Sequence, residues 1–213
     1  MAAVGGAAYS RRQSQFPSIG DEMADVVLFH HVQGLTAGVH RLADELRAGG
    51  HTVHTPDFFA GATFDSIDDG FAAMRARGDG AVDAWADALV AELPAEVVYA
   101  GISLGVMPAQ RLAQTRPGAA GALFLEACAP ASAFADGWPA GVPVQVHGME
   151  RDPFFGLEGD VDAARELVAQ ADDGELFVYP GDVHLFTDSS LPAHDEAATA
   201  QVVERALALL ARV

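Results

Sequence analysis

From Asp25 onward, short runs rich in β-branched residues alternate with longer segments of helical period, and this alternation restricts the fold more than any other feature. The run "VVLFHHV" (26–32) predicts a strand, and "GVHRLADELRAGG" (38–50) a helix, with Val39, Leu42 and Leu46 at helical spacing and Gly49-Gly50 as its stop. "HTVHTPD" (51–57) reads as a strand ended by Pro56, and 58–67 as a Phe-rich loop. Helical segments follow at 68–77 and 80–93, the second with Val82, Trp85, Leu89 and Leu93 on one side. Next come a strand at 96–100, a helix at 104–115, a strand at 121–127, a loop rich in Ala and Pro, and a strand at 142–147. A helix at 160–171, a strand at 175–179 and a long helix at 194–212 close the chain. The expected class is α/β, a mainly parallel sheet with helices on both faces. Ligands bind beyond the carboxyl ends of such strands, so the residues that follow each strand are the ones to search.

At 213 residues, half of them hydrophobic, the chain suits one domain with a sizeable core, and no repeat or linker divides it. That domain is expected over 23–213. The opening segment carries Arg11-Arg12, but the polar "QSQFPSIGDE" that follows lacks the apolar stretch an export signal needs. Residues 1–22 are therefore expected to be a disordered leader or an expression remnant, with Met23 the natural start. No stretch approaches the roughly 20 apolar residues of a membrane span, so a soluble, cytoplasmic protein is expected.

The formal charge of -18 would repel phosphate backbones and anionic membrane surfaces, and no basic run offsets it. Nucleic acid and membrane are excluded as expected partners. All twelve basic residues are arginine, which excludes a Schiff-base lysine, a serine-lysine dyad and a lysine-bearing phosphate loop. Cys128 is the single cysteine, so the chain has no internal disulfide framework or cysteine zinc cluster, and its apolar run "ALFLEACAP" makes it a small core residue.

After the strand at 96–100 stands Gly101-Ile102-Ser103-Leu104-Gly105, the G-x-S-x-G pattern, and a helical segment follows at once. Small residues at both ends suit a sharp strand-to-helix turn that pushes the serine hydroxyl outward. Serine is a poor nucleophile at neutral pH, so this reading requires a histidine base and an orienting acid after later strands, in the chain order serine, acid, histidine. "HGMERDPFF" supplies Asp152 and "PGDVHLF" supplies His184. Asp152 could equally form an Asp-Pro turn, and Glu150, Asp182 and Asp188 compete for the acid role, although the latter two share the loop of His184. For the oxyanion, the early strand offers the backbone amide of Val32 or of its neighbour Gln33, to be paired with that of Leu104. His30 and His31 are adjacent on a strand and point to opposite faces, no metal-binding spacing occurs, and neither metal nor cofactor is expected.

With these residues placed, the chain from Val26 onward resembles the dienelactone hydrolase family, a compact branch of the α/β-hydrolases without a large lid domain. The resemblance rests on "HHVQG", "PDFFAG", "GISLG", "HGMERDPF" and "YPGDVHLFTD" in that order. It implies Ser103 as nucleophile, Asp152 as acid, His184 as base, the Val32 and Leu104 amides at the oxyanion, and ester or lactone hydrolysis through an acyl-enzyme. Three departures stand out. Ser103 replaces the family's cysteine, His31 aligns with its acid on the oxyanion strand, and Gly61 and Asp188 align with the arginines that grip the dienelactone carboxylate. Dienelactone itself is therefore a poor expected substrate.

Expected substrate contacts are His31, Gln33, Phe58, Phe59, Met107, Phe154 and Leu185, with Phe64, Trp85, Phe155 and Phe186 as further wall candidates. Together they suggest a small, mostly apolar, uncharged ester or lactone as the partner of a monomer or homodimer. The alternatives are acyl transfer, a cyclisation or isomerisation in the same pocket, or a binding protein that has kept a hydrolase fold.

Overall fold

The computed structural model describes residues 23–213, and the expectation for residues 1–22 lies outside them. The strands are β1 (Asp25–Phe29), β2 (Thr52–His54), β3 (Val97–Ile102), β4 (Ala119–Leu125), β5 (Val144–Met149) and β6 (Gly174–Tyr179). They pair in the order β2-β1-β3-β4-β5-β6, every neighbour parallel. The helices are α1 (Ala37–Ala48), α2 (Ile67–Ala76), α3 (Ala81–Val90), α4 (Val106–Thr115), α5 (Asp160–Gln170) and α6 (Glu196–Leu210). Thr36, Ser66 and Asp195 cap α1, α2 and α6, each side chain accepting from the amide three residues on.

Alternation along β1 shows how the sheet is covered. Val26 and Leu28 join a core with Leu42 and Leu46 of α1 and Val202 and Leu209 of α6. Val27 and Phe29 face the other way, toward Val90 of α3, Leu112 of α4 and Leu167 of α5. Burial on both faces explains why β3 and β5 are buried along their whole length, even at Gln145 and His147 of β5.

The chain runs from β1 to β2 on one side and then crosses to β3 on the other, so the connections leaving β1 and β3 diverge. That divergence opens a crevice at the carboxyl ends of β1 and β3, where Ser103 stands. The expected strand over 26–32 stops at Phe29. Here the His30 Nδ1–H turns back onto the His31 carbonyl at 2.7 Å, and the Gly34 amide closes a turn onto the same oxygen at 3.0 Å. Those bonds take backbone groups that a longer strand would have used. The expected helix over 104–115 begins as a 3₁₀ turn at Ser103–Gly105 and becomes α-helical at Val106. Among the described residues no helix is long and apolar enough to cross a membrane.

Candidate active site

Ser103 sits at φ 50°, in the left-handed region that non-glycine residues rarely occupy. The two glycines of the motif make this turn possible by close approach. A Cβ on Gly101 would strike the Gly105 carbonyl, and one on Gly105 would strike the carbonyls of Phe29 and His30. Strand β3, the Ser103 turn and the end of β1 are thus packed backbone to backbone. Backbone strain held this way is typical of a functional turn.

His184 stands between the serine and a carboxylate. Its Nε2 lies 2.8 Å from Ser103 Oγ and its Nδ1 2.7 Å from Asp152 Oδ2. Asp152 is fully buried, and its Oδ1 accepts from the amides of Phe154 at 2.8 Å and Phe155 at 3.3 Å. With Asp152 Oδ2 as the acceptor, the imidazole carries its hydrogen on Nδ1, which leaves Nε2 free to accept from Ser103. The competing acids are placed elsewhere. Glu150 and Asp182 are exposed around Arg151, and Asp188 is buried against His31.

Burial alone would lower the His184 pKa. It is nevertheless raised, because the hydrogen bond to Asp152 and the negative charges of Glu126, Asp152 and Asp160 outweigh desolvation. The Phe154 ring packs 4.6 Å from the imidazole, centroid to centroid. Burial pushes the Cys128 thiol up to about 12, which leaves that residue un-ionised in the core.

The turn after β1 is braced by both its histidines. His30 donates to the His31 carbonyl and accepts from the Phe58 amide at 3.0 Å, and burial pushes its pKa down to about 4. His31 accepts from the Gln33 amide at 3.2 Å and donates through Nε2 to Asp188 at 2.7 Å. Asp188 also accepts from Thr36 and from Ser190, and together these bonds hold its carboxyl well below the usual range despite burial. The Gln33 amide is committed to His31, whereas the Val32 amide has no hydrogen-bond partner among the described residues. The same residues leave His30 and His31 no ring nitrogen for a metal.

A model of the dienelactone hydrolase family matches residues 16–213. The chain belongs to the dienelactone hydrolase family. Comparison with curated protein sequences returned no match. Among solved structures, the chain is similar to P91, a dienelactone hydrolase-like promiscuous phosphotriesterase from metagenomic libraries. That likeness has 19% identity and a TM-score of 0.66 over 89% of this chain and 86% of the other. A candidate dienelactone hydrolase from Klebsiella pneumoniae matches at 17% identity and TM-score 0.66, over 90% and 88%. A hydrolase of the alpha/beta superfamily from Xanthomonas campestris matches at 21% and 0.58, over 87% and 99%. At these identities the likeness is one of fold, and the sheet described above is an α/β-hydrolase sheet.

In this member of the dienelactone hydrolase family, a cavity of about 190 Å³ opens over Ser103 and His184. Met107 and Phe154 line it as expected contacts, with Leu104 beside them. The other expected contacts lie elsewhere, and each requires correction. His31 is fully buried in its bond to Asp188, and the Gln33 side chain is turned to the Phe64 carbonyl. Phe58 and Phe59 pack on each other beneath the Arg77 guanidinium, with Trp85 against Phe58. Leu185, Phe155 and Phe186 are core. A loop rich in aromatics tends to bury them among themselves, because ring-on-ring packing removes more apolar area than a cavity wall does.

Ile67 and Phe71, one turn apart on α2, supply the apolar wall instead, and Glu126, Glu158 and Asp160 add an acidic one. The signal for Glu126 was present in "ALFLEACAP": a carboxylate that ends an otherwise apolar strand at the sheet's ligand-binding edge. The α2 residues gave no such signal, since a pair at helical spacing reads as ordinary packing.

Proposed function

We propose that the protein is a serine hydrolase that cleaves a small ester or lactone, bearing no negative charge, through an acyl-enzyme on Ser103. The observation that carries this reading is the single imidazole held within hydrogen-bonding distance of both Ser103 Oγ and the buried Asp152.

His184 Nε2 takes the Ser103 proton as Oγ bonds to the carbonyl carbon. The carbonyl electron pair moves onto oxygen, which the Val32 and Leu104 amides receive. Asp152 stabilises the imidazolium that forms, and the imidazolium then protonates the departing alkoxide. Water, deprotonated by His184, attacks the acyl-serine and releases the acid. Among the described residues no arginine lines the cavity, which disfavours a carboxylate-bearing substrate such as dienelactone. Cytoplasmic action as a monomer or homodimer, without a cofactor, belongs to the same proposal.

A fluorophosphonate tests it. The expected result is a covalent adduct on Ser103, located by mass spectrometry and lost in His184→Ala. A folded protein whose Ser103 stays unmodified would remove the activated-serine reading. Labelling without turnover of simple esters would redirect it to acyl transfer.

A further inference from the structure

Glu126 follows β4 directly, at φ 67°, with its amide bonded to the His147 carbonyl at 2.7 Å. Its side chain is fully buried. Oε1 accepts from both the amide and the hydroxyl of Thr187, at 3.0 and 2.7 Å, whereas Oε2 has no partner among the described residues. A buried carboxylate oxygen left without a donor is costly, and native structures rarely tolerate one without a reason. This one belongs to a residue that lines the cavity together with Ser103 and His184.

Sheet order says which part of a substrate it can meet. The oxyanion turn follows β1, the nucleophile follows β3 and Glu126 follows β4, so Glu126 flanks Ser103 on the side away from the oxyanion turn. It therefore cannot serve the carbonyl oxygen and must face another group. Burial raises the Glu126 pKa, and His184, the two bonds from Thr187 and His31 offset only part of that rise. In the carboxylate form Oε2 is purely an acceptor. Glu158 and Asp160 on the same wall add negative potential that repels anions and favours polar hydrogens or cations.

We propose that Glu126 is a recognition residue that accepts, through Oε2, a hydrogen bond from an O–H or N–H group carried by the substrate close to its ester carbonyl. The substrate class is thereby a hydroxy ester or an amino ester rather than a plain alkyl ester, a refinement that rests on the proposed hydrolase function. The hydroxyl or ammonium supplies the donor that Oε2 lacks, and the apolar wall of Ile67, Phe71, Met107 and Phe154 takes the carbon chain.

The test compares methyl butyrate, methyl β-hydroxybutyrate and methyl β-aminobutyrate as substrates of the wild type and of Glu126→Gln. Glutamine keeps the acceptor for Thr187 but can present an amide donor in place of Oε2. The wild type is expected to favour at least one donor-bearing ester by about tenfold or more in kcat/KM, and Glu126→Gln to lose that preference. The hydroxy and amino arms distinguish a neutral donor from a cation. In parallel, the corresponding amides are titrated calorimetrically into Ser103→Ala protein, with and without Glu126→Gln, so that recognition is read without chemistry. Equal values for all three acyl groups in the wild type, or a preference that survives Glu126→Gln, would overturn the proposal. If no ester is hydrolysed but the amides keep their ranking and lose it in Glu126→Gln, Glu126 recognition stands and the hydrolase reading falls. Because the wild-type ranking alone can refute the idea, an unfolded variant does not protect it.

Discussion

Replacing Asp152 by asparagine separates charge from shape at the centre of the site. The asparagine carbonyl can retain the bonds from the Phe154 and Phe155 amides, so its amide nitrogen is left facing His184 Nδ1, where Asp152 Oδ2 now accepts at 2.7 Å. Two donors cannot share that bond. The imidazole must then carry its hydrogen on Nε2, which points a donor at Ser103 Oγ instead of an acceptor. Loss of the base tautomer at a serine triad costs about 10⁴-fold in kcat, or roughly 5 kcal/mol of transition-state stabilisation. A second consequence concerns pH. His184 is raised against the pull of burial, first by its bond to Asp152 and then by the charges of Glu126, Asp152 and Asp160. Removing the bond and one charge lets burial win, so the acid limb of kcat/KM moves to lower pH even as the plateau falls. The assay is steady-state hydrolysis of a p-nitrophenyl ester across pH, with circular dichroism as a check on folding. A folded Asp152→Asn protein within about tenfold of wild-type activity, or an acid limb that rises, would refute the assigned roles.

The remaining expectations concern the parts that hold the site. Gly105→Ala should destabilise the protein by about 1–3 kcal/mol in urea unfolding, because the added Cβ meets the carbonyls of Phe29 and His30 with no flexible side chain to yield. Asp188→Ala should cost about 3–5 kcal/mol, since His31, Thr36 and Ser190 all lose their buried acceptor. It should also slow fluorophosphonate labelling by loosening the turn that carries Val32. His30 titrates near 4 in the folded protein, below the unfolded value of about 6.5, so between those pH values the unfolded chain binds the proton first. Its contribution of about 3 kcal/mol is full above pH 6.5 and is lost as pH falls toward 4. His30→Gln should flatten that part of the stability profile in denaturant titrations.

Much of the architecture was legible because it is written locally. Val39, Leu42 and Leu46 at helical spacing do face the core from α1, and the apolar runs ending at Ile102 and Leu125 are the central strands. The boundaries slipped where side chains intervened, as at His30, whose ring takes a carbonyl that strand pairing would have used. Among the candidate site residues, Ser103, Asp152 and His184 could be found because each lies in the turn or loop that follows a strand. Their order along the chain already implied one edge of a parallel sheet.

Other assignments depended on contacts that no local pattern encodes. Asp188 looked like a rival acid, but it meets His31, 157 positions away in the sequence. Glu126 and Thr187, 61 positions apart, are brought together only by the order of β4, β5 and β6. Whether the Gln33 amide is bonded or free turned on which ring nitrogen of His31 was left to accept once the other had met Asp188. By itself the sequence determined a parallel α/β sheet with serine, acid and histidine at its carboxyl edge, because periodicity and strand ends are properties of neighbouring residues. Tertiary structure alone decided which carboxylate orients His184, which helix walls the cavity and which buried oxygen is left without a donor. Those outcomes depend on strand order and on distances across the fold, and hydrogen bonds fail within an ångström of the wrong separation.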